Sequence, residues 1–152
     1  MRLLIVEDNS PLAELTADLL RSLDRQAQLF EAITLASDLQ TAILCLPGHD
    51  AVLCDGMFPL SPNSHFVVEE WDVVRQEAYR RGIHFVLYSG SVRALDCARE
   101  RNTPALAKPA AIEEIYALLA RHWLPVHSKG YGESALMAID RKIAGENHVT
   151  NL

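Results

Sequence analysis

Five polar residues that could act together in chemistry follow short apolar segments of the chain. Three are acids, one carries a hydroxyl group and one carries an amine: they are Glu7, Asp8, Asp55, Ser89 and Lys108. Three carboxylates gathered within about 4 Å would repel one another by roughly 4 kcal/mol per pair at an intermediate effective dielectric. Such a cluster needs a proton or a cation, and Mg²⁺ suits it because this ion accepts carboxylates, a carbonyl and waters and can bridge to a phosphoryl oxygen. The residue types therefore indicate a Mg²⁺ site, provided that the fold brings them together.

The elements that would position these residues alternate between strand and helix. Apolar runs at 3–6, 28–32, 51–54, 84–88 and 105–107 predict five buried strands. Apolar residues at helical spacing predict a helix starting at Ser10 and Pro11 and further helices at 35–46, 66–81, 92–101 and 112–123. Five strands that are each followed by a helix predict a parallel sheet with helices on both faces. Ligands bind such sheets at the carboxyl ends of the strands, which is where all five candidate residues lie.

Composition restricts the classes of partner and the compartment. The 152 residues carry a formal net charge of −6, so the chain has no general attraction for polyanions and direct nucleic-acid binding is not expected. The first apolar run is too short for a signal peptide or a membrane span. Three cysteines without metal-ligand spacing predict reduced thiols. We therefore expect a cytoplasmic protein with no membrane association.

Four short motifs carry a resemblance to a known family. LLIVEDN has an acidic pair after a strand, VLCDGMFP has Asp55 after a strand, YSGS contains Ser89, and ALAKPA has Lys108 before a proline. Over residues 1–123 the chain resembles the receiver domains of response regulators, the CheY-like proteins of two-component signalling. The resemblance implies an α/β fold with a doubly wound, flavodoxin-like sheet of five parallel strands in the order 2-1-3-4-5.

The resemblance also implies a role for each motif residue. Asp55 would be the phosphoacceptor that attacks a phosphohistidine, with Ser89 and Lys108 binding the transferred group. The phosphodonor would be a sensor histidine kinase or a histidine phosphotransfer protein. The chain would catalyse its own phosphorylation and dephosphorylation while acting mainly as a signalling protein. The implied Mg²⁺ ligands are Glu7, Asp8, Asp55 and the backbone carbonyl of Met57.

Residues 124–152 follow the region of resemblance. Residues 126–132 contain two glycines and predict a linker, and Leu136, Ile139 and Ile143 predict a short helix at 134–144. One helix cannot form a DNA-binding effector domain with its own core. We therefore expect output through contact with a downstream protein target, with the C-terminal helix supporting docking or a homodimer.

Two departures from the family pattern keep other functions open. Ala105 stands where the family usually carries an aromatic switch residue, and Asn63 stands where a glycine is common. Together with a long loop at 60–82, Ala105 favours a pseudo-receiver, an interaction module that is not phosphorylated, although the acidic pair and Asp55 disfavour it. A hydrolase with an aspartate nucleophile is a third hypothesis. It would normally need a second acid two residues after Asp55, where Met57 lies.

Overall fold

A five-stranded parallel sheet forms the centre of the protein. A computed structural model describes residues 1–25 and 27–127, and for 122–127 only the backbone. The sheet strands are β1 Arg2–Val6, β2 Ala32–Ala36, β3 Ala51–Cys54, β6 His84–Ser89 and β7 Ala105–Ala107. Their spatial order is β2-β1-β3-β6-β7, and all four neighbouring pairs are parallel. In sequence order of these five strands this is 2-1-3-4-5, so the predicted fold class is confirmed.

Helices cover both faces of the sheet because successive strand residues point to opposite sides. The helices are α1 Ser10–Leu23, α2 Leu39–Cys45, α3 Trp71–Arg80, α4 Val92–Glu100 and α5 Ile112–His127. On β1, Leu3 and Ile5 join the core under α1 and α5, whereas Leu4 and Val6 join the core under α2, α3 and α4. This two-sided burial explains why the central strands are continuous apolar runs in the sequence.

The second strand was predicted at 28–32, and this position was wrong. The carboxylate of Asp24 accepts hydrogen bonds from the backbone N–H groups of Leu29 (2.7 Å) and Phe30 (2.8 Å), which holds this segment in a turn after α1. The strand β2 then begins at Ala32, paired with Arg2. Consequently α2 also begins later than predicted, at Leu39.

The third helix is shorter than the predicted 66–81. Residues Val67–Val68 form a strand, β5, which pairs antiparallel with β4 at Phe58–Pro59. This hairpin lies between Asp55 and α3, which begins at Trp71. The first helix is capped by Asn9, whose side chain accepts from the N–H of Leu12, rather than by Ser10.

The remaining boundaries differ from prediction by a few residues. The strand β6 continues to Ser89, α4 ends at Glu100, and α5 continues to His127 rather than ending at residue 123. The predicted linker and the helix at 134–144 lie outside the described residues, so they stay predictions, as does the domain boundary at 123. Within the described part of the chain, no helix is both long enough and apolar enough to span a membrane.

Candidate functional site

The parallel register brings the ends of the strands to one edge of the sheet. Val6 is paired with Cys54, so the residues that follow β1 and β3 lie side by side. The N–H of Asp55 donates to the carbonyl of Val6 (2.8 Å), and the N–H of Lys108 donates to the carbonyl of Ser89 (2.9 Å). These backbone bonds hold the four strand ends in fixed relative positions.

Three carboxylates cluster at this edge. Glu7, Asp8 and Asp55 each offer an oxygen, and these oxygens all lie within 4.8 Å of one another. Glu7 is buried, Asp55 is half-buried and Asp8 is exposed, so the cluster opens to solvent on one side. An all-oxygen donor set with solvent access matches the preference of Mg²⁺, and the cluster can hold a metal ion.

Lys108 lies against the acidic cluster. Its ammonium nitrogen is 2.6 Å from Oε2 of Glu7 and 3.0 Å from Oδ2 of Asp55. Burial acts to lower the pKa of Lys108, but its hydrogen bonds to the two carboxylates and their negative charges raise this pKa above its ordinary value. The amine is therefore a cation at neutral pH.

The pKa of Glu7 is raised above that of an ordinary glutamate. Burial is the largest cause and the negative charge of Asp55 adds to it, whereas the hydrogen bond from Lys108 opposes it. With three acids facing one lysine, this site favours the binding of a further cation.

Ser89 lies at the end of β6 with only 1% of its surface exposed. Its Oγ accepts a hydrogen bond from the N–H of Ser91 (3.1 Å), and Ser91 in turn caps α4 by accepting from the N–H of Ala94 (3.2 Å). Within the described residues, no hydrogen bond joins the Ser89 side chain to the three carboxylates or to the ammonium of Lys108. Its hydroxyl hydrogen is thus available to donate to a bound group.

Met57, the last residue predicted for the site, lies two residues after Asp55 and its side chain is exposed. The assignment of its backbone carbonyl as a metal ligand stays a prediction. The structure also adds residues that the sequence patterns did not single out. The ring of Tyr88 lies 5.3 Å from the ammonium of Lys108, and the backbone N–H of Asn9 donates to Oε1 of Glu7 (3.3 Å).

Cys54 supports the backbone of the site rather than its chemistry. This thiol donates to the carbonyl of Asp55 (3.1 Å) and is fully buried. Burial raises the pKa of the Cys54 thiol well above its ordinary value, and the charges of Asp55 and Glu7 raise it further. Cys54 is therefore a neutral thiol, and it is not a nucleophile.

Solved structures of response regulators share the fold of this chain. SdrG from Pseudomonas melonis Fr1, in its BeF3-activated conformation, is 27% identical over 78% of this chain and 92% of its own, with a TM-score of 0.57. A LuxR-family DNA-binding response regulator from Staphylococcus aureus is 16% identical over 79% of this chain and 96% of its own, with a TM-score of 0.61. Chemotaxis response regulator CheY4 of Vibrio cholerae is 14% identical over 79% and 96%, with a TM-score of 0.59. No protein-family model and no curated protein matches the sequence.

Proposed function

We propose that this chain, which has the fold of the receiver domains of response regulators, accepts a phosphoryl group on Asp55. The proposed phosphodonor is a phosphohistidine of a sensor histidine kinase or a histidine phosphotransfer protein. One observation carries the proposal: the ammonium of Lys108 lies within 3.0 Å of both Glu7 and Asp55, two members of the acidic cluster. An amine and several carboxylates at one strand edge are the groups that bind a phosphoryl dianion together with a divalent cation.

The metal proposed for the site is Mg²⁺. Glu7, Asp8 and Asp55, with the backbone carbonyl of Met57, would hold it. When bound, Mg²⁺ supplies positive charge that stabilises the oxygens of the phosphoryl group. The excess negative charge of the cluster supports this assignment, because the single ammonium of Lys108 cannot balance three carboxylates.

Asp55 is the proposed nucleophile. Its Oδ1 accepts a hydrogen bond from the N–H of Gly56 (2.6 Å), and its Oδ2 contacts Lys108. In the reaction a carboxylate oxygen forms a bond to phosphorus while the bond from phosphorus to the imidazole nitrogen breaks. The electron pair of that bond stays on the imidazole, which is thereby released. Lys108 offsets charge on the phosphoryl oxygens, and Ser89 donates its free hydroxyl hydrogen to one of them.

The proposed output is contact with a downstream protein. The hairpin of β4 and β5 offers one surface for such a contact. It exposes Phe66 and Val67 between the phosphoacceptor loop and α3. A homodimer, a cytoplasmic location and a role for residues 124–152 belong to the same proposal.

The pseudo-receiver is the second candidate function, and one observation favours it. Ala105 lies on β7 and packs against the core under α2, α3 and α4, so this strand has no aromatic side chain at the position that switches in the family. A phosphoryl group on Asp55 could then leave β7 unchanged. This candidate predicts the same fold and the same metal cluster but no stable phosphorylation.

Labelling with a small phosphodonor separates the two candidates. Incubation of the full chain with acetyl phosphate and MgCl₂ should add one phosphate, detected by intact-mass spectrometry, that is lost on treatment with hydroxylamine. Asp55→Asn should abolish the label, and EDTA should do so in the wild type. Asp96→Asn, which removes an exposed carboxylate of α4, is the matched control and should label normally.

Each alternative has its own result. An unlabelled wild-type chain under these conditions would contradict phosphoryl transfer and support the pseudo-receiver. A label that persists in Asp55→Asn would show that another residue is the acceptor. Continuous release of phosphate from many phosphate esters would instead support a hydrolase.

A further inference from the structure

Gly56 follows the phosphoacceptor directly and is buried between two other elements. A Cβ atom at this position would overlap the hydroxyl oxygen of Ser89. It would also lie 3.0 Å from Cβ of Ser89 and 3.2 Å from Cβ of Ala94 on α4. The backbone of Gly56 is not in the left-handed region, so its conformation alone does not require glycine. Glycine is required because there is no space for a side chain, and the group closest to an added Cβ is the side chain of Ser89.

We propose that Gly56 is a positioning residue, which leaves room for the hydroxyl of Ser89 beside the phosphoacceptor. This inference rests on the proposed function, because it concerns the group that binds the transferred phosphoryl. Without a side chain at position 56, the loop after β3 can approach β6 closely enough for Asp55 and Ser89 to serve the same group. Any larger residue separates the two strand ends or turns Ser89 away.

Ser89 has little freedom to avoid such a collision. Its carbonyl accepts from the N–H of Lys108 and its side chain is almost fully buried, so the backbone cannot retreat without disturbing β7. Rotation about χ1 would give up the hydrogen bond from Ser91 and would not move Cβ, which already lies at 3.0 Å. The phosphoacceptor loop is also held, because the N–H of Gly56 donates to Oδ1 of Asp55. A side chain at position 56 would therefore displace the Ser89 hydroxyl before any other group.

A double-mutant cycle with acetyl phosphate and MgCl₂ tests the proposal on the full chain. Gly56→Ala should slow phosphorylation roughly 10- to 100-fold, the usual value of one hydrogen bond to a charged group. Ser89→Ala should slow it by a similar factor. Adding Gly56→Ala to Ser89→Ala should then cost little more, because the hydroxyl that Gly56 accommodates is already gone.

Two further variants control for ordinary packing. Gly90→Ala places a methyl group where nothing lies within 4 Å, in the loop next to Ser89, and should leave the rate unchanged. Ala94→Gly removes the other close neighbour, on α4, and should not rescue Gly56→Ala. Mg²⁺ affinity, measured by titration calorimetry, should be the same in Gly56→Ala and the wild type, because the three carboxylates are untouched.

The possible results separate this inference from the proposed function. Gly56→Ala could slow phosphorylation by the same factor in the wild type and in Ser89→Ala, or Ala94→Gly could restore the rate of Gly56→Ala. Either result would overturn the positioning role but not the phosphorylation of Asp55. A wild-type chain that is not phosphorylated would overturn the proposed function and the positioning role with it. If Gly56→Ala is too unstable to assay, recovery of the melting temperature by Ser89→Ala supports the proposal, and recovery only by Ala94→Gly contradicts it.

Discussion

Replacing Glu7 by glutamine should make the metal-free protein more stable, although Glu7 lies in an ion pair. At an effective dielectric of about 20, carboxylates 4.8 Å apart repel by about 3.5 kcal/mol, and Glu7 has two such neighbours. The attraction to Lys108 at 2.6 Å is about 6.4 kcal/mol on the same basis. The two repulsions and the one attraction therefore nearly cancel, and the charges alone do not decide the sign.

Burial decides the sign of this change. Glu7 is only 7% exposed, and its raised pKa has burial as the largest cause, so the ionised form is less favourable in the folded chain than in the unfolded one. Glutamine removes that charge and keeps one acceptor oxygen, which can accept the hydrogen bond from Lys108 while the weaker bond from Asn9 (3.3 Å) is lost. Removing one member of a buried pair is costly when it leaves the other charge unpaired, but Lys108 keeps Asp55 as its partner, so we expect a gain of about 1–2 kcal/mol in the free energy of unfolding. The melting temperature should rise by roughly 3–8 °C.

Urea unfolding in EDTA, followed by circular dichroism, measures this gain. The gain should be largest at neutral pH. It should shrink as the pH falls through the raised pKa of Glu7, because the wild-type side chain then becomes neutral in the folded state. Saturating MgCl₂ should stabilise the wild type more than Glu7→Gln, since the variant has lost a proposed ligand. Glu14→Gln, an exposed position on α1, is the matched control and should change stability by less than about 0.5 kcal/mol.

Two results would refute this reasoning. Glu7→Gln could be no more stable than the wild type in EDTA while keeping its secondary structure, which would mean that the ion pair with Lys108 outweighs burial. Mg²⁺ could also stabilise both proteins equally, which would mean that Glu7 is not a ligand.

Two other substitutions test the charges of the fold. Lys108→Met removes the ammonium and leaves Glu7 buried without a counter-charge. Urea unfolding in EDTA should therefore show a loss of about 2–4 kcal/mol in the free energy of unfolding, which MgCl₂ partly restores. An unchanged stability would contradict the pairing of Lys108 with Glu7. Burial acts to raise the pKa of Asp72, but hydrogen bonds from Arg75 and Gln76 and nearby positive charge lower it from 3.8. Asp72→Asn should therefore cost about 1 kcal/mol at pH values above 3.8, and this cost should disappear as the pH falls through the lowered pKa; a cost that persists in acid would exclude the ion pairs as its source.

The central strands could be predicted because their environment is simple. Helices cover both faces of β1, β3 and β6, so nearly every residue in them is buried and the run stays apolar until it reaches the edge. The predicted runs at 51–54 and 105–107 match β3 and β7. Since parallel strands end at the same edge, the order of acid, acid, serine and lysine along the chain was enough to predict their convergence.

The second strand was misplaced because the carboxylate of Asp24 holds the apolar segment before it in a turn. Leu29 and Phe30 are apolar and adjacent, which is typical of a strand, yet both of their N–H groups donate to Asp24. The phenol of Tyr116 on α5 also donates to that carboxylate (2.9 Å), so the turn is anchored from across the domain. The contact with Tyr116 joins residues far apart in the sequence, so no local pattern predicts it.

The hairpin after Asp55 was missed for a related reason. Val67, Val68 and Trp71 fit the spacing of a helix face, but the first two pair with Phe58 and Pro59 instead. A helical pattern can be recognised from neighbouring residues, whereas the partners of a strand lie elsewhere in the sequence. The local pattern therefore favours a helix. The close approach of Gly56 to Ser89 could not be predicted from the sequence either, because it depends on how two strand ends pack.

Ser89 connects the site to α4 through side-chain hydrogen bonds that do not involve β7. The Ser89 hydroxyl accepts from the N–H of Ser91, and Ser91 caps α4 through the N–H of Ala94. A hydroxyl that turns to donate to a group on Asp55 changes the geometry of the first of these bonds, and the cap of α4 is the next bond along the chain. The methyl group of Ala105 has no polar atom and no ring that could follow this motion. If Asp55 accepts a phosphoryl group as proposed, we therefore expect the start of α4 to respond through Ser89, in addition to any response of Lys108, which follows β7 and contacts Asp55 directly.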